Sequence, residues 1–141
     1  MSTLLRISEA TSLALHSVVF MAGNPDRLVP TAEIALALHS SESHLSKVLQ
    51  RLAHLGLVRS SRGPGGGFTL NRPADQITLL EVYEAVEGPL TSSDCLLDAP
   101  VCGGAHCILG GLLATVNYQV ADYLAGTRVA DLNHVYQCSN S

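Results

Sequence analysis

A mainly α-helical fold carrying one two-stranded β wing is what this sequence predicts, and three observations predict it. Apolar residues recur at helical spacing through most of the chain. The period changes once, on either side of a glycine-rich turn near residue 65. Cap and stop residues separate the helical stretches cleanly. With 141 residues, 47% of them hydrophobic, the chain has enough apolar surface to bury one core. Six aromatics and no Trp leave that core to Leu, Ala, Val and Ile.

The first helix is expected from Glu9 to about Ala22, capped by Ser8 and stopped by Gly23-Asn24-Pro25. Ala10, Leu13, Ala14, Val18, Phe20 and Met21 give it a broad apolar stripe. Thr31 is expected to cap a short second helix, Ala32–Leu38. Ser40, Ser41 and Ser43 open a third that runs to about His54 and closes on Gly56. Leu45, Val48, Leu49, Leu52 and Leu55 share one face of it; Ser43, His44, Lys47, Gln50 and Arg51 lie on the other. Leu57–Ser61 then reads as a strand, Gly63-Pro64-Gly65-Gly66-Gly67 as a tight turn and Phe68–Leu70 as the returning strand, ended by Asn71-Arg72-Pro73. Thr78-Leu79-Leu80-Glu81 is a capping box that opens a helix to about Val86, stopped by Gly88-Pro89. A polar loop with cysteines spans residues 91–107. A long helix is expected from Ile108 to Leu124, with Leu109, Leu112, Leu113, Val116, Val120 and Leu124 as its stripe, and Thr127 is expected to cap a last short helix.

Charge narrows the function. Twelve acidic against eight basic residues give a net charge of −4, which taken whole argues against a nucleic-acid partner. Location reverses that reading. Residues 43–74 carry Lys47, Arg51, Arg59, Arg62 and Arg72 with no acid, a local +5, whereas residues 75–141 carry eight acids and only Arg128. An electropositive segment inside an acidic chain is a polyanion footprint. Arg6, Glu9 and His16 interrupt the apolar start, and no 18-residue apolar run follows, so a cytoplasmic chain with no membrane partner is expected. Four cysteines in that compartment point to metal, redox chemistry or simple burial rather than a disulfide framework.

Two short helices, a helix with an apolar underside and a basic top, then a ribbon: this order is a winged helix-turn-helix. A helix fits the major groove, where base edges present a distinguishing donor and acceptor pattern. Ser41 and Ser43 let its N-terminus approach phosphate closely, and Lys47 and Arg51 lie one turn apart facing outward. The glycine turn is no nucleotide cradle, because residue 68 is Phe and no Gly-Lys-Ser/Thr follows; flanked by Arg62 it suits a wing tip. Cys95, Cys102 and Cys107 follow a C-x6-C-x4-C spacing, which is wrong for a C-x2-C zinc knuckle, and Cys138 stands apart. Thiolates on a loop suit an iron–sulfur cluster. Cysteine with His106 could form a nucleophile and base, but no oxyanion-hole signature accompanies them, so an enzyme is not expected.

Ser43-His44-Leu45, the run from Leu57 through Arg62-Gly63-Pro64-Gly65-Gly66-Gly67 to Phe68, Ile77–Val82 and the cysteine loop together resemble the Rrf-two family of bacterial winged-helix regulators over roughly residues 4–135. The resemblance implies a homodimer on a palindromic double-stranded DNA operator, joined through the long helix. It implies that Ser43, His44 and Lys47 face bases and that Arg62 enters the minor groove. Thr31, Ser41, Arg51, Arg59, Gly65 and Gly66 complete the expected DNA-binding set. His44 departs from the Tyr common at that position, which bears on the operator sequence. It further implies an iron–sulfur cluster, of two-iron or four-iron type, on Cys95, Cys102 and Cys107, with an apo form possible. In two branches the fourth ligand is an Asp or a His that would fall at Ser12 and Gly110, so Glu9 and His16 are the candidates that remain; His16 matches a position that ligates in one minor branch. The division that follows is a DNA-binding region at 1–88, a sensor loop at 89–107 and a dimerisation helix with C-terminal segment at 108–141. The expected function is a repressor sensing redox, nitric oxide or iron status through the cluster, or alternatively a metal-free thiol/disulfide-switched regulator.

Overall fold

Thr11, Leu13, Ala14 and every residue from Ser17 to Ala22 are buried on α1 (Glu9–Ala22), so this helix is covered almost all round and the rest of the chain packs against it. The computed structural model of the chain describes residues 7–90, 108–109 and 111–136. The Ser8 hydroxyl caps α1 by accepting from the Thr11 N–H, as its sequence predicts.

α2 (Thr31–Leu38) and α3 (Glu42–His54) form the helix-turn-helix. Thr31 is not the cap of α2. Pro30 holds that position in an extended conformation, with its carbonyl accepting from Glu33 and Ile34, and Thr31 is already the first helical residue. Both helices end in the same two-bond motif. Ser40 and His39 donate back to Ala35 and Leu36, and Leu57 and Gly56 to Leu52 and Ala53. Each motif needs a left-handed residue: Gly56 supplies it at φ 82°, but on α2 the position is held by His39 at φ 53°.

β1 (Val58–Ser61) and β2 (Gly67–Leu70) pair antiparallel, Arg59 opposite Thr69 and Ser60 opposite Phe68. Val29 adds a third rung, exchanging both backbone hydrogen bonds with Phe68 at 2.8 and 2.9 Å. A 3₁₀ turn (Ala74–Gln76) leads to α4 (Leu79–Glu87). Only half of the expected capping box forms. Thr78 accepts from the Glu81 N–H at 3.2 Å, while the Glu81 carboxylate turns to Arg72 at 2.8 Å.

α5 runs from Leu112 to Gly126, starting later than Ile108, which with Leu109 lies in a turn. Its expected stripe is split. Leu113 and Leu124 are buried and Val120 packs against the core, but Leu112 is 55% exposed and is joined on the outer edge by Tyr123 at 59%. The last segment is a 3₁₀ helix, Val129–Tyr136, and Thr127 does not cap it: Thr127 ends α5, and its carbonyl accepts from the Leu79 N–H. This segment returns onto α1 so closely that a Cβ on Gly23 would lie 2.9 Å from the Asn133 carbonyl. Val129 donates to the Ile77 carbonyl at 2.8 Å, so the chain after α5 is stitched to the strand-like entry of α4. Leu124 and Val129 therefore share one core with Leu13, Leu49 and Phe68.

Candidate nucleic-acid interface

The exposed edge of α3 begins with Ser41, whose hydroxyl accepts from the His44 N–H at 3.0 Å and lies 3.1 Å from that of Ser43. Ser43, Lys47, Gln50 and Arg51 are exposed, while Leu45, Val48, Leu49 and Leu52 are buried beneath them. The amphipathic division expected of a reading helix is thus present. Thr31, half-buried, opens α2, the first helix of the helix-turn-helix pair.

The five cations of residues 43–74 do not share one role. Arg72 binds both carboxylate oxygens of Glu81 and the Gln76 carbonyl, so its charge serves the fold. Arg51 is exposed but spends its Nε–H on the Ala85 carbonyl at 2.9 Å, tying α3 to α4. Lys47, Arg59 and Arg62 are exposed, with no hydrogen bond or ion pair to any described residue. Arg59 stands with Thr69, Asn71 and Arg72 over a 330 Å³ cleft on the wing.

Gly65, Gly66 and Gly67 each have a conformational or steric reason. Gly66 donates to the Gly63 carbonyl at 2.9 Å around Pro64 and Gly65, and Gly65 has φ 77°, which makes a type II turn. A Cβ on Gly66 would strike the Ser61 carbonyl, and one on Gly67 would lie 2.5 Å from the Val29 carbonyl. The glycines therefore build the wing, and Arg62 beside them is free at its tip.

Of the candidate metal ligands only Glu9 and His16 lie among the described residues. Cys95, Cys102, Cys107 and Cys138 lie outside the described residues, as do Asp94, Asp98, His106 and Gly110. Among the described residues no three His, Cys, Asp or Glu side chains gather as a metal site. His16 and Glu9 are two helical turns apart, roughly 10 Å along α1, too far to bind one ion together. The His16 Nδ1 lies 2.6 Å from the Ser12 carbonyl, which leaves Nε2 as its outward nitrogen. Glu9 instead points across to α3, where its Oε1 lies 3.7 Å from the His44 Nδ1. Sequence reasoning missed that contact, and also the Glu87 carboxylate, which accepts from the Ser8 N–H and hydroxyl and from the Thr11 hydroxyl across 76 or more residues. Pairings so distant leave no local signal.

Comparison with known proteins agrees with this architecture. The Rrf2 family model, described as an iron-dependent transcriptional regulator, matches residues 7–134. The protein aau3 of Rhizobium meliloti is 33% identical over 132 residues, covering 91% of this chain and 84% of its own. The HTH-type transcriptional regulator IscR of Erwinia tasmaniensis is 34% identical over 104 residues, covering 74% of this chain and 63% of its own. Among solved structures, CymR, the global cysteine regulator of B. subtilis, superposes with a TM-score of 0.78 at 26% identity over 93% of this chain and 98% of that one.

Proposed function

The chain belongs to the Rrf2 family of transcription regulators, which are not enzymes, and on that footing we propose that two copies read a palindromic duplex through the Ser41–Arg51 edge of α3 and the Arg62 wing, acting in the cytoplasm as a repressor. The observation that carries this is the set of unpartnered cations Lys47, Arg59 and Arg62 on one helix-and-wing unit, next to arginines that the fold has already engaged. Three such cations from each protomer neutralise about six phosphates, so log K should fall with log salt at a slope of about −5 on duplexes enriched from a random pool. Arg62→Ala should weaken binding by about 1–3 kcal/mol and flatten the slope by about two. A slope near zero rejects the interface.

Cys95, Cys102 and Cys107 would hold an iron–sulfur cluster, and we assign His16 as the fourth ligand, because its Nδ1 already has a backbone partner and its Nε2 is left to bind. Glu9, whose carboxylate lies 3.7 Å from His44, is the alternative ligand. A cluster would supply sensitivity to iron supply, oxidants or nitric oxide. The family's iron-dependent description and the likeness to IscR support this reading. Anaerobic iron and sulfide analysis tests it: Cys102→Ala should be a folded, colourless protein with altered operator affinity, and Cys138→Ala should keep its iron. Full iron in Cys102→Ala sinks the idea. The likeness to a cysteine regulator favours a second reading, a thiol/disulfide switch. It expects an iron-free wild type whose DNA affinity responds to oxidant and dithiothreitol.

A further inference from the structure

The cleft between the wing and the end of α1 holds a cation that the fold does not use. Its volume is 330 Å³, with Met21, Ala22 and Pro25 on one side and Arg59, Thr69 and Leu70 among the residues on the other. No acidic residue lines it. Its two cations differ. Arg72 gives its terminal nitrogens to both carboxylate oxygens of Glu81 and to the Gln76 carbonyl, so its charge is balanced. Arg59 has no hydrogen bond or ion pair to any described residue. It stands on the same face of the ribbon as Thr69, because the two are directly opposite in the register. One uncompensated positive charge therefore lines the cleft.

A strand edge is open in the same place. Phe68 spends its N–H and its carbonyl on Val29, so both groups point away from β1. Backbone groups alternate along an antiparallel strand, so those of Leu70 point the same way. The Val29 pairing is an isolated bridge, and no second rung follows it opposite Leu70. The Leu70 N–H is thus a donor without a strand partner, on a residue that lines the cleft. Met21, Ala22 and Pro25 make the facing wall apolar. These features define an occupant. A guanidinium fork matches the two oxygens of a carboxylate. One free cation balances a single negative charge, whereas a phosphate monoester brings nearly two. Taking the roughly 30 Å³ that a water occupies in the liquid as the measure, the cleft takes about ten non-hydrogen atoms.

We propose that this cleft is a binding site for a small monocarboxylate with a short hydrocarbon body, the carboxylate on Arg59 and the Leu70 N–H and the body against Met21, Ala22 and Pro25. The site stands on the cleft alone. Its consequence rests on the reading that Arg59 neutralises a DNA phosphate: an occupied cleft then withdraws one cation per protomer from the interface, and the carboxylate is an effector that weakens operator binding.

The test titrates the full-length protein at constant ionic strength with acetate, propionate and butyrate, and with butyramide and inorganic phosphate for comparison. The readout is the amide signals of Thr69 and Leu70 in nitrogen-15 spectra. Butyrate should shift both to saturation, and butyramide should shift neither. Each methylene added to acetate should tighten binding by about two- to fourfold. Arg59→Met should bind butyrate about 10- to 100-fold more weakly. Arg62→Met, which removes a wing cation outside the cleft, should bind it like wild type. Saturating butyrate should flatten the salt slope of wild-type DNA binding by about two and leave that of Arg59→Met unchanged. The proposal is overturned if no carboxylate gives saturable shifts, if inorganic phosphate binds as tightly as butyrate, or if Arg62→Met loses as much affinity as Arg59→Met. Saturable, Arg59-dependent binding that leaves DNA affinity untouched upholds the site and removes Arg59 from the DNA interface instead.

Discussion

His39 carries a strain that the fold does not need. It sits at φ 53° in the turn between α2 and α3, where the end of α2 calls for a left-handed residue and where Gly56, in the equivalent position after α3, meets the demand without a side chain. An L-residue there costs on the order of 1 kcal/mol, and the greater freedom of glycine in the unfolded chain returns only part of it. His39→Gly should therefore stabilise the protein by roughly 0.5–1 kcal/mol, seen as a higher urea midpoint with an unchanged slope. A midpoint that stays put or falls would show that the His39 side chain supports the turn in some other way.

At the level of elements, α5 separates what was legible in the sequence from what was not. Its apolar positions were plain, but their number was too large for one partner, and only packing could divide them. Leu113 is buried, Val120 and Leu124 turn to the chain's own core, and Leu112 and Tyr123 stay outside. Leu112→Glu should therefore split the dimer and leave a folded monomer, whereas Leu113→Ala should cost about 2–5 kcal/mol of folding stability with the interface face intact. Sedimentation and urea titration of the two variants check both halves, and a Leu112→Glu dimer of unchanged stability would move the interface elsewhere. Legible features are those with a local cause, such as the Ser8 cap, the serines that open α3, the Gly56 stop and the glycine turn that makes the wing. Thr31 and Thr127 do not cap the helices that follow them, because a threonine hydroxyl caps only where the backbone leaves the N-cap position to it. Pro30 had already taken the N-terminal position of α2, and Thr127 belongs to the end of α5. The third rung at Val29 is a single residue in a loop and has no periodicity to betray it. The site divides in the same way: Lys47 and Arg62 could be read from charge, while the diversion of Arg72 to Glu81 and of Glu9 toward His44 needed the fold.

For the whole molecule, the consequence lies in the stitch between Val129 and Ile77 and in the C-terminal segment packed on α1. These contacts clamp the far end of α5 to the body that carries α3, so the proposed dimer, if joined on α5, would be a caliper of fixed gauge. In the proposed dimer the two reading heads would then stand at one separation, suited to neighbouring major grooves about 34–36 Å apart. Such a caliper measures length as strictly as sequence. Inserting about five base pairs between half-sites turns the second onto the opposite face of the duplex, and inserting about ten restores the face but adds a full helical turn of distance. A hinged dimer would recover with the second insertion. This one should bind neither operator better than a single half-site, and mobility-shift titration of the three duplexes decides between the two designs.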